Sequence, residues 1–285
     1  MTRRVYAAAA ALALGLLSGC GGEGPEAAAG LSGVVNTNGS TSMEQVAGCL
    51  MEAFMARNSG VTINYSGTGS STGIQGVLDG LCDIGMSSRS LKAEEAEAGA
   101  VGHLIALDGI ALVVNPENPV EDLTVEEAAG LATGTVTNWS QVGGADRPVA
   151  FLGREAGSGT RSAFEESTGT VDRCSYTNEL TATGDIIANV SSNPNAIGYV
   201  SLSGVSDGVK PLRIGGVAPG EDTLRDGSYA IRRPFYLVTK ADAPLPAAAQ
   251  AFLDYAASGE AAGIIRIAGA VPPAAGDPGG KADAQ

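Results

Sequence analysis

Histidine is almost absent from this 285-residue chain: His103 is the sole one, beside four cysteines and one tryptophan. With no Cys-x-x-Cys and no His/Cys cluster, neither a metal centre nor a cofactor is expected, because zinc-type sites need several such ligands closely spaced. Positive charge is scarce too. The 17 Lys and Arg stand against 31 Asp and Glu, a net charge of −14, which argues against nucleic acid as a partner because its backbone demands clustered cations. A nucleotide loop is missing as well: Gly153–Thr160 has Ser158 and Gly159 where G-x-x-x-x-G-K-[ST] needs glycine and lysine. The N-terminal apolar run, Val5–Leu17 behind Arg3 and Arg4, has about 13 residues, too few to span a bilayer and suited to a signal peptide.

Leu17-Ser18-Gly19-Cys20 resembles the lipobox of bacterial lipoproteins. That resemblance implies a leader over 1–19, lipid on Cys20 and a tether over 20–30, rich in Gly, Ala and Glu. The chain is then extracytoplasmic and held to the cell membrane by its anchor. In an oxidising compartment Cys49 and Cys82 either form a disulfide or stay free, with Cys174 left over.

Beyond the leader, strands and helices alternate in a way that favours parallel sheets and an α/β fold. Strands are expected near 34–35, 61–65, 83–86, 105–115, 149–152, 197–201 and 235–239, with the longest broken at Asp108-Gly109. Helices are expected near 43–55, 74–78, 124–132, 160–167, 185–192, 247–257 and 259–267, with Ser42 and Gln45 as a capping box for the first. The chain crosses twice between two α/β lobes, 31–114 with 232–271 and 115–231, which makes a hinge. A frayed tail follows from 272.

Gly-Arg-Glu-Ala-Gly-Ser-Gly-Thr-Arg at 153–161 places a glycine turn at a helix start. The first amides of a helix lack internal acceptors and sit at the positive end of its dipole, so such a start suits an oxyanion. Gly39–Ser42 and Gly69–Thr72 share that design. Each alone is an ordinary turn and cap, but three, divided between two lobes and placed beyond the carboxyl ends of strands, point to one ligand in a cleft.

In the order and spacing of its motifs the chain resembles the phosphate-binding substrate-binding proteins of ABC transporters. The likeness spans about 31–270 and includes Gly39–Ser42, Asp83–Arg89, Asp108–Ala111, Thr137–Trp139, Arg154 with Gly157–Thr160, and Asn193–Tyr199. It implies a two-lobed type 2 periplasmic-binding-protein fold that closes on phosphate, a permease with a separate ATPase as partners, and a monomer. By motif position it implies phosphate contacts from Thr41, Ser42, Ser70, Arg154, Ser158, Gly159 and Thr160. Ser88 stands where better-known members carry an aspartate. An aspartate accepts a hydrogen bond from a protonated phosphate oxygen and repels sulfate; serine repels it less, so another tetrahedral oxyanion such as sulfate remains an alternative, with Glu155, Asp83 or Asp185 as substitute acceptors.

Enzymatic function is not expected, yet one candidate exists. Gly69–Gly73 matches the G-x-S-x-G elbow, with Ser71 as nucleophile and His103 as the base a serine hydrolase would need. Arg89 either reaches the cleft or pairs with an acid, and Arg161 is expected on the exposed side of its helix.

Overall fold

A computed structural model describes residues 30–273. The leader, Cys20, nearly all of the tether and the tail beyond 273 lie outside the described residues. In chain order the elements are β1 (Ser32–Gly39), α1 (Glu44–Arg57), β2 (Gly60–Gly67), α2 (Ser70–Leu78), β3 (Ile84–Ser87), α3 (Ala93–Glu97), β4 (Ala100–Val114) and β5 (Asp122–Leu123). They continue with α4 (Val125–Ala132), β6 (Ala150–Arg154), α5 (Gly159–Thr168), β7 (Asn178–Leu180), α6 (Thr183–Ser192), β8 (Ala196–Ser201), β9 (Lys210–Pro211) and β10 (Arg213–Ile214). Then come α7 (Glu221–Arg225), β11 (Arg232–Lys240), α8 (Ala247–Ala256) and α9 (Ala261–Ile267). Among the described residues no helix is long and apolar enough to cross a membrane.

The main sheet runs β2-β1-β3-β11-β4-β8-β6-β7, with β9 added beside β4. Strands joined by helical crossovers are parallel, β1 with β2 and β3, and β6 with β7 and β8. β4 and β11 carry the chain between these groups in opposite directions, so they pair antiparallel with each other and with β8 and β3. The sheet is therefore mixed, which corrects the parallel expectation. Asp108-Gly109 does not interrupt β4. The strand stays continuous and changes partner there: residues up to Gly109 pair with β11, and Ile110 onward pairs with β8.

Two large apolar clusters form around the two strand groups. One gathers Val35, Leu50, Phe54, Ile84, Phe235 and Phe252 under α1, α8 and α9; the other gathers Leu112, Leu131, Trp139, Phe151, Phe164 and Tyr199. The period of two sets the faces of β11, with Phe235 and Leu237 toward α1 and Val238 with Ile74 of α2 on the opposite side. Each such buried side chain stabilises by about 1.5–3 kcal/mol.

That division also decides the cysteines. Cys49 of α1 packs on the first face, whereas the Cys82 thiol lies 4.0 Å from the Gly73 carbonyl of α2 on the other. With the sheet between them the considered disulfide does not form, and Cys49, Cys82 and Cys174 are free thiols.

Candidate functional site

β1 ends at Gly39, whose φ of +145° is open to glycine. A β-carbon there would lie 2.2 Å from the Met86 carbonyl, so glycine lets β1 and β3 finish side by side. The next residues make a 3-10 turn, Thr41–Met43, capped by Ser40, whose Oγ accepts from the Ser42 amide at 3.3 Å. This corrects the expected Ser42–Gln45 box: the cap is Ser40, and the Gln45 amide faces Cys49. Thr41 and Ser42 are both buried.

On the other side β6 delivers Arg154 and α5 opens at Gly159. Ser158 caps α5, its Oγ accepting from the Arg161 amide at 3.4 Å. The Arg154 amide donates to the Tyr199 hydroxyl at 3.0 Å, Tyr199 to the Tyr176 hydroxyl at 3.1 Å, and Tyr176 to Glu165 at 2.9 Å. Arg161 donates to Glu165 at 2.8 Å and to the Arg154 carbonyl at 3.0 Å. These bonds fix the Arg154 backbone from beneath. Arg161 is thus half-buried and holds the site's base, where the sequence placed it on the exposed side.

The expected residues converge. Ser42 Oγ lies 2.6 Å from Thr160 Oγ1, and Arg154 Nη2 donates to Thr41 Oγ1 at 3.0 Å, so the first helix start meets the third. Ser70, the first residue of α2, accepts from the Ser88 amide at 3.1 Å, and the two hydroxyls are 3.3 Å apart. A β-carbon on Gly159 would fall 2.2 Å from Ser70 Oγ and 2.7 Å from Ser88 Oγ, so only glycine lets the α5 start approach them. The eight residues Thr41, Ser42, Ser70, Ser88, Arg154, Ser158, Gly159 and Thr160 are all buried.

Arg154 is 1% exposed, and among the described residues it has no ion-pair partner. Nε and Nη2 donate to the Leu180 and Thr181 carbonyls at 3.1 and 2.5 Å, and Nη1 reaches Thr183 Oγ1 at 3.4 Å. A guanidinium has five N–H donors, so one hydrogen stays available. Burial lowers the Arg154 pKa, with the nearby positive Arg233 acting in the same direction. A buried cation without a counter-charge is costly, and a bound anion relieves it.

Three participants escaped the sequence reading. Thr183 opens α6 and its hydroxyl lies 3.4 Å from those of Thr41 and Ser42. Arg233 of β11 is fully buried, donating from Nη1 to Ser88 Oγ at 3.3 Å and from Nε to Asp108 Oδ2 at 2.9 Å. Asp108, quoted in the sequence only as part of a motif, is the other half of that ion pair. No local pattern marks Arg233 in Arg232-Arg233-Pro234; only its pairing opposite Asp108 brings it here.

Other candidates fall away from the site. The Ser71 hydroxyl accepts from Arg89 at 3.1 Å, while His103 faces Thr239 at 2.8 Å, so no nucleophile and base are paired. Arg89 is buried against Glu95, its Nη1 and Nη2 engaged at 2.8 and 2.6 Å. Asp83 accepts from the Asn36 amide within β1, and Asp185 from the Ala182 amide at the start of α6.

The profile of the PBP superfamily domain matches residues 24–260. A phosphate-binding protein PstS of Bacillus subtilis is 32% identical over 231 residues, covering 79% of this chain and 75% of its own. That of Borreliella burgdorferi is 28% identical over 220 residues, covering 72% and 78%. A phosphate ABC transporter substrate-binding protein from Clostridium perfringens, solved with bound phosphate, is 37% identical with a TM-score of 0.82, covering 85% of this chain and all of that one. An ABC-type phosphate transport receptor from Vibrio cholerae is 32% identical with a TM-score of 0.69, over 84% and 100%. With the periplasmic-binding-protein fold and these relatives in place, the chain belongs to the PBP superfamily and, within it, to the PstS-like family of phosphate-binding proteins.

Proposed function

We propose that this chain captures inorganic phosphate between two lobes, 31–114 with 232–271 and 115–231, and delivers it to the permease of an ABC transporter driven by a separate ATPase. One observation carries the reading: Arg154, buried and without a carboxylate partner, lies among hydroxyls from both lobes. An anion bound there gains charge-assisted bonds, which are the strong ones. Thr41, Ser42, Ser70, Ser88, Ser158, Gly159 and Thr160 supply neutral donors around it. The phosphate bound in the Clostridium perfringens relative, and the phosphate-binding character of the Bacillus subtilis one, support the choice of anion.

Capture couples to closure. An anion held first by one lobe gains the other lobe's contacts only when the cleft shuts, so binding energy drives a hinge motion whose closed form the permease recognises. The protein works outside the cytoplasm, tethered through lipid on Cys20. A Cys20→Ser variant is expected in the soluble fraction; its retention on membranes refutes the anchor.

Sulfate is the second reading, favoured by Ser88 where an aspartate would repel it. Calorimetric titration with phosphate and with sulfate at equal ionic strength decides between them. Tighter phosphate binding is expected, and equal affinities defeat the phosphate assignment.

A further inference from the structure

Ser88 has no acceptor capacity left. Its Oγ accepts from Ser40 Oγ at 2.7 Å and from Arg233 Nη1 at 3.3 Å. A hydroxyl carries two lone pairs and one proton, so with both lone pairs engaged Ser88 can only donate. Thr41 Oγ1 likewise accepts from Arg154. The charged groups gathered so far, Arg154 and Arg233, are also donors. Phosphate at neutral pH carries at least one O–H that needs an acceptor, and leaving such a group buried without one costs about 1–3 kcal/mol.

Asp108 is joined to this set of donors through Arg233. It is fully buried where β4 exchanges β11 for β8. Its Oδ2 accepts from Arg233 Nε at 2.9 Å and from Ser201 Oγ at 2.8 Å. Arg233 Nη2 also lies 2.8 Å from Oδ2, but out of line for a hydrogen bond. Oδ1 has no hydrogen-bond partner; burial raises the Asp108 pKa, and the Arg233 charge, with bonds from Ser201, Arg233 and the Ser203 amide, pulls back towards the charged carboxylate. A single guanidinium therefore separates this unused acceptor from Ser88. Arg233 itself spends two of its five donors in hydrogen bonds.

We propose that Asp108 is the specificity-determining acceptor of the site, its Oδ1 receiving the O–H of bound phosphate while Arg233 serves as a second cationic donor. This rests on the phosphate reading above. The acceptor missing at Ser88 is thereby supplied from β4, and tetrahedral anions without a proton to give meet a buried carboxylate instead. Arg233 neutralises Asp108 enough to keep it buried, and Ser201 holds its orientation.

Titration of the wild-type chain with phosphate, sulfate and monofluorophosphate, in which fluorine replaces the O–H, tests the idea. Phosphate is expected to bind at least about tenfold tighter than either, the scale of one unsatisfied buried polar group. Equal binding of phosphate and monofluorophosphate overturns the acceptor while leaving phosphate binding intact; absence of phosphate binding overturns the underlying reading. An Asp108→Asn variant, its folding checked by circular dichroism, is expected to shrink the gap to less than about threefold by losing phosphate affinity. A folded variant that keeps the full gap refutes Asp108. Should it fail to fold, a crystal structure of the wild type with phosphate decides: a phosphate oxygen in hydrogen-bond range of Asp108 Oδ1 upholds the assignment, and none within about 3.5 Å rejects it.

Discussion

At the scale of single residues, Arg154 and Arg89 show two ways of keeping a buried charge. Arg154 has carbonyls and hydroxyls around it but no carboxylate, so Arg154→Ala is expected to weaken phosphate binding by about 1.5–3 kcal/mol, read by calorimetry. Glu95 has its partner in Arg89, bound through both oxygens. Burial alone raises the Glu95 pKa, but the Arg89 bond and charge and the Lys92 amide outweigh it and hold the pKa below the ordinary 4.5. A carboxylate depressed in the folded state adds stability above its unfolded pKa and loses it as pH falls through the folded value. Wild type is therefore expected to lose stability relative to Glu95→Gln as pH drops below about 4.5, measured by denaturant midpoints across pH; parallel pH profiles refute this. The motif singled out Arg154 as a candidate but left Arg89 open, because the partner of Arg89 is six residues away on another element.

At the scale of elements, helix starts were the most legible feature. The segment opening α5 stands where the pattern put it, with Ser158 as cap, because cap chemistry depends on near neighbours. α2 instead begins earlier than expected, at Ser70, so that Ser70–Thr72 form its first turn behind Gly69, which makes no side-chain cap bond. The start of α1 was misjudged by two residues: a 3-10 turn intervenes, and Ser40 caps it. Away from the site, Thr124 and Glu127 form a reciprocal capping box on α4, at 3.0 and 2.8 Å. Thr124→Ala is expected to cost about 1 kcal/mol of stability in urea unfolding while leaving phosphate affinity unchanged. A coupled loss of affinity would show that α4 takes part in binding. Strand boundaries were less legible. The expected break in β4 at Asp108-Gly109 marks a change of partner, which no one-dimensional pattern distinguishes from a break.

At the scale of the whole molecule, the two strand groups are joined through β4 and β11, and the candidate site lies where they meet. Closure on an anion is expected to reduce the radius of gyration in small-angle scattering when phosphate is added; an unchanged value argues against the hinge. Composition and periodicity set the α/β class, the scarcity of metal ligands and the three anion-suited helix starts, because these rest on local propensity and on residues close in sequence. Motif order also pointed to the family. Only the tertiary structure decided that β4 and β11 run antiparallel, that Cys49 and Cys82 face opposite sides of a sheet, and that Arg161 supports Arg154 from below. It alone brought Arg233, 145 residues from Ser88, into contact with that hydroxyl and paired it with Asp108. Contacts of that separation follow from strand pairing, where one register fixes partners that no neighbouring residue reveals.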